Sequence, residues 1–256
     1  MTGILITAAG KRLGKAMALH LARQDYYIYL HYHSGREEAE DTLTEIQAHG
    51  GEGEILQADL SDFAAAENLV RQCNNPAHPL RHIINNASRF VADEADNFTE
   101  ESFAAHMAVN LRAPLQLGRA LHALVPDGAP ASVVNIIDSK VFALNADYFS
   151  YSLSKVGLNA ATEMMAQAFG PKIRVNGIAP GLTLIAEGQS EENFALASRL
   201  NFTGQPLNVQ DIARTAHLLI TSPSINASVI PVDGGQKMIN LTADVVHVAE
   251  EILKEK

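Results

Sequence analysis

One cysteine, Cys73, stands in 256 residues, so no internal disulfide can form, and a reducing cytoplasm is the compartment this usage fits. No Cys/His cluster has zinc-site spacing. The ten histidines are scattered, and His31 and His33, alternating along an expected strand, read as surface or packing residues; no metal is expected. Clustered Lys and Arg are lacking too: 19 basic against 29 acidic side chains leave a net charge of −10, which argues against a nucleic-acid surface. The longest apolar runs are far too short to cross a bilayer. Met1-Thr2-Gly3 runs straight into an apolar strand pattern, so neither a membrane span nor a signal peptide is expected. Internal repeats, linkers and low-complexity tracts are absent. What is present, 47% apolar residues at a mean hydropathy near zero, is the composition of a soluble protein with a substantial core.

The chain alternates short apolar runs with longer helical patterns, as expected of a parallel sheet covered on both faces. Seven strands are expected, at 4–6, 27–32, 54–57, 81–85, 132–137, 172–178 and 228–232. Helical patterns occupy 13–22, 36–49, 62–73, 149–169 and 209–220, the second ended by Gly50-Gly51. One domain over residues 1–256 is therefore expected, a three-layer α/β/α fold on a seven-stranded parallel sheet. Residues 182–208 lack a clear strand and follow a strand's C-terminal end. Ligands bind at such ends in open α/β sheets, which makes this segment a candidate substrate lid.

Thr7-Ala8-Ala9-Gly10-Lys11-Arg12-Leu13-Gly14 joins the first strand to the first helix. Such a turn brings backbone close to a pyrophosphate, which the helix N-terminus stabilises, although a plain strand–helix connection would read the same. Ala58-Asp59-Leu60 and Asn85-Asn86-Ala87-Ser88 end the third and fourth strands, where Asn and Asp are also ordinary turn residues. Tyr151-Ser152-Leu153-Ser154-Lys155 opens a helix, and its spacing puts Tyr151 and Lys155 on one face.

In this order, and joined by Asn110, Pro180-Gly181 and Val232-Asp233-Gly234-Gly235, these segments resemble the short-chain dehydrogenase/reductase family from Leu5 to about Gly235. The first turn is similar to the family's Thr-Gly-x-x-x-Gly-x-Gly, in the Thr-Gly-x-x-x-Arg-x-Gly form of pteridine reductases. Ala8 replaces the first glycine and Arg12 the second. If that position needs positive φ, alanine strains it by roughly 1 kcal/mol, with Gly10 relieving the turn. The resemblance implies a Rossmann-type fold binding NADP(H) or NAD(H) through Thr7, Gly10, Arg12, Leu13, Gly14, Asp59, Leu60, Asn86, Ala87, Ser88, Tyr151, Lys155, Pro180 and Gly181. It also implies that Asp59 meets adenine and that Asn110 helps organise a proton-relay water.

NAD-preferring enzymes carry an acid at the end of the second strand to bind the ribose hydroxyls. Here His31-Tyr32-His33-Ser34-Gly35-Arg36 has none before Glu37. Ser34 and Arg36 can instead donate to the ribose phosphate of NADP, unless Arg36 is simply a solvated helix-start residue. NADPH is the expected cofactor.

A free tyrosine titrates near ~10, so acid–base work at neutral pH needs about 3–4 kcal/mol of assistance, which a cationic Lys155 and the oxidised nicotinamide would supply. Most relatives carry a serine thirteen residues before the tyrosine; here, at 151 − 138 = 13, stands Asp138. An ionised carboxylate there opposes alcohol oxidation by raising the tyrosine pKa. A protonated one can pass a proton through Tyr151 to a ring nitrogen. The alternative is that Ser139, slipped by one residue, does the serine's work. Asp at this position is similar to pteridine and dihydromonapterin reductases, as are Arg12, His31-Tyr32-His33, Ser88-Arg89-Phe90 and Gly181-Leu182-Thr183. That subgroup implies Phe90 stacking a flat pterin, with Arg12, Ser88, Asp138 and Tyr151 about the substrate, His33 beside the cofactor and Thr183 near its phosphate or the substrate. Phe90 as loop packing is the alternative.

The expected activity is therefore NADPH-dependent reduction of a dihydropterin, with no nucleic acid or membrane as partner. A carbonyl reductase acting on 3-oxoacyl thioesters or other ketones is the second reading, and a non-catalytic NADP-binding regulator the third. Leu153, Leu158, Ala161, Met165 and Phe169 give the 149–169 helix more apolar surface than one sheet face needs, from which a homotetramer is expected.

Overall fold

The computed structural model describes residues 1–186, 188–239 and 241–255; Glu187, inside the expected lid, lies outside them. Seven parallel strands form the sheet, in the order β3-β2-β1-β5-β6-β7-β8. They are β1 (Thr2–Ile6), β2 (Tyr26–Tyr32), β3 (Glu52–Gln57), β5 (His78–Asn85), β6 (Ser132–Ile136), β7 (Arg174–Pro180) and β8 (Val229–Val232). A two-residue β4, Asn74–Asn75, pairs antiparallel with the start of β5 and closes that corner.

The strands are buried on both faces, so they read as continuous apolar runs rather than alternating ones. Leu5, Leu80, Ile83, Val133 and Val175 face one layer of the core, packed by α3 (Phe63–Gln72), by α5 (Ala113–Leu124) and by Met165 of α6 (Phe149–Phe169). Ile4, Ile6, Ile28, Leu30, Ile84 and Val134 face the other, packed by α1 (Arg12–Ala22) and α8 (Val209–Thr221), with Ile46 of α2 (Arg36–Ala48). Each fully buried aliphatic side chain of this kind contributes about 1.5–3 kcal/mol. The fold is thus the expected Rossmann-like α/β/α sandwich.

Three stretches differ from the sequence expectation. Residues left unassigned between the fourth and fifth expected strands form α4 (Glu100–His106), a π-helical turn (Met107–Arg112) and α5, a nearly continuous rod. The C-terminal residues add α9 (Val245–Lys254), N-capped by Asp244. The 182–208 segment contains a short helix, α7 (Glu191–Ala197), capped by Ser190, and Asn193 Nδ2 ties it to the Val246 carbonyl of α9 at 2.9 Å. The apolar surplus expected on the 149–169 helix is largely internal. Leu158 and Met165 are buried against their own sheet, Ala161 is buried too, Phe169 packs on the core beside Met165, and Leu153 with Met164 is what remains exposed. Among the described residues no helix is long and apolar enough to cross a membrane.

A relay of buried amides fixes α6 to the sheet. Asn85 Nδ2 donates to Asn135 Oδ1 at 2.7 Å, and Asn135 Nδ2 donates to Thr162 Oγ1 at 2.9 Å. The helix start is held from outside. Tyr148 is left-handed at φ 55°, and Asp93 of a distant loop accepts from the amides of Phe149 and Ser150 at 2.9 and 2.8 Å.

Candidate active site

Strand order reverses direction between β1 and β5, and the crevice at their C-terminal ends is where an open α/β sheet takes its ligand. Thr7 and Asn86 meet there. Thr7 Oγ1 accepts from the amides of Asn86 and Ala87, both at 2.8 Å, while Asn86 Nδ2 donates to the carbonyls of Thr7 and Ala8 at 2.9 and 3.1 Å. The two family glycines that this chain replaces do sit at left-handed positions: Ala8 has φ 51° and Arg12 φ 53°, at roughly 1–2 kcal/mol each. Gly10 does not relieve the turn. It is small because α2 passes close, where a Cβ would stand 2.9 Å from the Ala39 nitrogen. At Gly14 a Cβ would lie 2.1 Å from the Ala8 carbonyl oxygen, so only glycine lets α1 start against the turn. The N-terminus of α1 has no side-chain cap and no acid in its first turn, which leaves amides and the positive end of its dipole for an anion.

Beyond β2, His33, Ser34 and Arg36 are exposed. Arg36 Nε pairs with Glu40 at 2.7 Å, and His33 Nε2 lies 3.7 Å from Asp59 Oδ2. Asp59 Oδ1 accepts from the Ser61 hydroxyl and amide at 2.7 and 2.8 Å, bonds that hold its carboxyl below the usual range. Leu60 is buried in the core, so any contact it makes with a ligand falls to its backbone. On the far side, Gly181 follows Pro180 at the end of β7, and Thr183 Oγ1 donates to the Gly181 carbonyl at 2.8 Å. A bare backbone turn, an uncapped helix start and the exposed Arg36, Ser34 and His33 where β2 ends fit a dinucleotide carrying an extra phosphate.

The reacting end is built differently. Asp138, partly buried after β6, accepts from Tyr151 Oη at 2.7 Å through Oδ2 and from the Lys140 amide at 2.8 Å through Oδ1. Ser139 is buried at the start of a 3-10 turn, so the one-residue slip does not occur. Lys155, 3% exposed, donates from Nζ to the Ile136 carbonyl at 2.9 Å, and Nζ stands 5.6 Å from the Tyr151 ring centre. Burial pushes Lys155 down to about 8, against the pull of Asp138. Burial also raises Asp138, outweighing the hydrogen bonds from Lys140 and Tyr151 and the charge of Lys155. Tyr151 is raised well above its ordinary value, first by burial and then by Asp138, so its hydroxyl keeps its proton. As expected of a carboxylate at this position, Asp138 adds to the rise of Tyr151.

Phe90, half exposed, stacks on Tyr148 at 4.3 Å and meets Tyr151 edge-on at 4.7 Å. Asn110 lies in the π-helical turn with no exposed surface. Its Oδ1 accepts from the Arg89 amide at 2.7 Å and lies 3.4 Å from Ser88 Oγ, while Nδ2 donates to the Arg89 carbonyl and to Ser154 Oγ, both at 2.9 Å. Its side chain ties the loop after β5 to α6, at the Ser154 hydroxyl one residue before Lys155.

Three groups went unread in the sequence. Asp93 caps α6 by a contact 57 residues long. Lys140 pairs with Asp244 at 3.2 Å, and Asp147 accepts from the Asp244 amide at 2.6 Å and lies 3.2 Å from His247 Nδ1. Tyr148 stacks between Phe90 and His247. Together these dock the α9 segment beside the reacting centre. His31, expected at the surface or in packing, is 2% exposed and bonded at both ring nitrogens. An Asp before an apolar helical run marks Asp244 as a cap; nothing local marks the others.

Residues 2–194 match the model of the short chain dehydrogenase family. Dihydromonapterin reductase of Escherichia coli strain SMS-3-5 is 26% identical over 237 residues, covering 92% of this chain and 96% of that protein. The dihydromonapterin reductase of Klebsiella pneumoniae is 29% identical over the same shares. Among solved structures, FolM alternative dihydrofolate reductase 1 from Brucella canis, complexed with NADP, superposes with a TM-score of 0.86 at 33% identity, covering 93% of this chain and 94% of that one.

Proposed function

The chain belongs to the short chain dehydrogenase family, and from that premise we propose that it is an NADPH-dependent reductase of a dihydropterin or a closely related flat heterocycle. The observation that carries the reading is the 2.7 Å hydrogen bond from Tyr151 to Asp138. A carboxyl made reluctant to ionise by burial, behind a tyrosine that keeps its proton, is a proton source, which reduction needs and alcohol oxidation does not. The names of the relatives support the same substrate class and cofactor.

When bound, NADPH supplies the hydride. Thr7, Gly10, Arg12, Leu13, Gly14, Asn86, Ala87, Ser88, Pro180, Gly181 and Thr183 would hold its pyrophosphate and nicotinamide halves, with Tyr151 and Lys155 beside the nicotinamide. Asp59 and the Leu60 backbone would meet adenine, and His33, Ser34 and Arg36 the ribose phosphate. The flat substrate stacks on Phe90, with Arg12 and Ser88 at its polar edges; offset stacking adds roughly 0.5–1.5 kcal/mol beyond burial. Tyr151 gives its proton to a ring nitrogen and takes one from Asp138, so one hydride and one proton reduce one C=N bond. Lys155, anchored on Ile136, holds a cation beneath the tyrosine. The 182–208 segment serves as the lid of a single domain, and Cys73, a buried free thiol, suits the cytoplasm. A homotetramer is retained, resting on the exposed Leu153 and Met164 of α6; a monomer at micromolar concentration in light scattering would remove it.

The test follows NADPH and NADH oxidation with 7,8-dihydropterins, acetoacetyl thioesters and simple ketones. Turnover of the dihydropterin, with NADPH favoured over NADH by about 1.5–3 kcal/mol, is expected. Turnover of ketones alone would replace this reading with the carbonyl reductase.

A further inference from the structure

His31 sits at the end of β2 inside the sheet, 2% exposed, and its ring is committed at both nitrogens. The Ala8 amide donates to Nδ1 at 3.1 Å, and Nε2 lies 3.1 Å from the Ala58 carbonyl. The partners fix the tautomer. A backbone N–H can only donate and a carbonyl can only accept, so Nδ1 is bare and the proton is on Nε2. The ring is therefore neutral, and burial pushes its pKa down to about 4. The backbone joins the same clamp, since the Ala9 amide donates to the His31 carbonyl at 2.9 Å.

One end of this bridge is a place where the chain needs outside support. Ala8 is one of the two turn residues held left-handed without a glycine's freedom, at φ 51°. Its carbonyl is fixed by Asn86 Nδ2 and crowded by α1 at Gly14. Its amide is fixed by the imidazole. Ala58 immediately precedes Asp59, at the other end of the dinucleotide crevice. We propose that His31 is a cofactor-positioning residue: the bare Nδ1 of its neutral ring gives the strained Ala8 amide a buried acceptor, and so sets the shape of the turn before the dinucleotide arrives. The inference rests on the cofactor reading given above. It also accounts for an alanine standing where the family's motif has glycine, because an amide with a buried acceptor tolerates the strained conformation.

The experiment measures NADPH binding by fluorescence titration, with unfolding temperature and single-turnover kinetics beside it. In His31→Asn the amide oxygen can take the place of Nδ1 and keep an acceptor for the Ala8 amide. In His31→Gln the amide nitrogen can take the place of Nε2, keeping a donor for Ala58 while the Ala8 amide is orphaned. Expected is NADPH affinity within about threefold of the unmodified protein for the Asn variant, and a loss of about tenfold for the Gln variant. The rate at saturating cofactor should change less than twofold in both. Adding Ala8→Gly to His31→Gln should recover most of the lost affinity, because glycine adopts the turn unaided. Equal losses in the two variants, or no recovery with glycine, would overturn the proposal and leave His31 as core packing. Failure of the unmodified protein to bind NADPH would instead overturn the cofactor reading. Imidazole ¹⁵N shifts of the unmodified protein decide the matter even if the variants do not fold. A neutral Nε2–H ring at pH 6 is required, and an Nδ1–H ring or a cation would sink the assignment.

Discussion

Within one cleft, the crevice between β1 and β5 is held by backbone groups and neutral side chains, whereas the centre between β6 and α6 is held by charge. Thr7, Asn86 and His31 each spend their polar atoms on main-chain partners. Asp138, Lys155, Lys140 and Asp244 are ionisable groups crowded together out of water, two of them shifted toward neutrality by burial. The difference follows from the task. A dinucleotide brings its own charge and needs a rigid, shaped surface with donors in place. A proton transfer needs groups whose two protonation states lie close in energy, and burial is what narrows that gap. Substitutions in the first region should therefore change affinity, and those in the second should change rate.

The largest effect that could break this division belongs to Asp138. In Asp138→Asn the amide can still accept from the Lys140 amide, but it cannot pass on an acidic proton. Turnover of a dihydropterin should fall about 10²–10⁴-fold, with NADPH affinity within about twofold. Asp138→Ser, which restores the usual family residue, should shift preference toward simple carbonyls. Full pterin turnover in the Asn variant would make Asp138 structural and return the carbonyl-reductase reading.

Thr7 tests the other half with a smaller effect. Thr7→Val keeps the shape and removes the oxygen that two amides share. Leaving buried donors unpaired costs about 1–3 kcal/mol, so NADPH affinity should drop roughly tenfold while the rate at saturating cofactor stays within about twofold. A variant that lost rate and kept affinity would erase the distinction between the two regions.

The same contrast governs how much could be read from the sequence. The sheet was legible because strands buried on both faces must be continuous apolar runs, and Ile4-Leu5-Ile6 or Ser132-Val133-Val134 can hardly be anything else. The pair Tyr151 and Lys155 was legible because one helical turn links them, and Asp138 because its spacing from Tyr151 falls at a strand end. The α4–α5 rod was missed because its π-helical turn breaks the 3.6-residue period that marks a helix. Asp93, Tyr148 and His31 act through contacts made only when distant segments meet, Asp93 and Ser150 being 57 residues apart. The upward pull of Asp138 on Tyr151 was legible from their spacing, whereas the burial that raises Tyr151 first was not. A tyrosine four residues from a lysine suggests a cation at its hydroxyl, but in the fold that hydroxyl faces Asp138 while Lys155 reaches the Ile136 carbonyl.

The smallest effect sharpens the comparison through stability. Asp138 has a folded pKa raised above its unfolded value, by burial against the pull of Lys155, with Asp244 reinforcing the rise. Between the unfolded and folded values the native state holds more protons than the unfolded one, so stability falls as pH rises through that window. The contribution of the carboxyl is fully present below about pH 3.9 and is lost once pH passes its folded value. Asp138→Asn removes this dependence because its side chain is neutral throughout. His31 and His82, pushed down by burial to about 4 and about 3, give the opposite slope, destabilising the fold as pH falls below about 6.5. They are present in both proteins and cancel in the difference. The unfolding temperature of the Asn variant minus that of the unmodified protein should therefore grow from pH 4 toward neutrality. The variant that loses the most rate would then gain stability, as expected where a catalytic group is buried at the expense of the fold. Melting curves across that pH range decide it: a difference that is flat or shrinks with rising pH would mean Asp138 is as easily ionised as an exposed carboxylate, and the electrostatic contrast between the two halves of the cleft would fail.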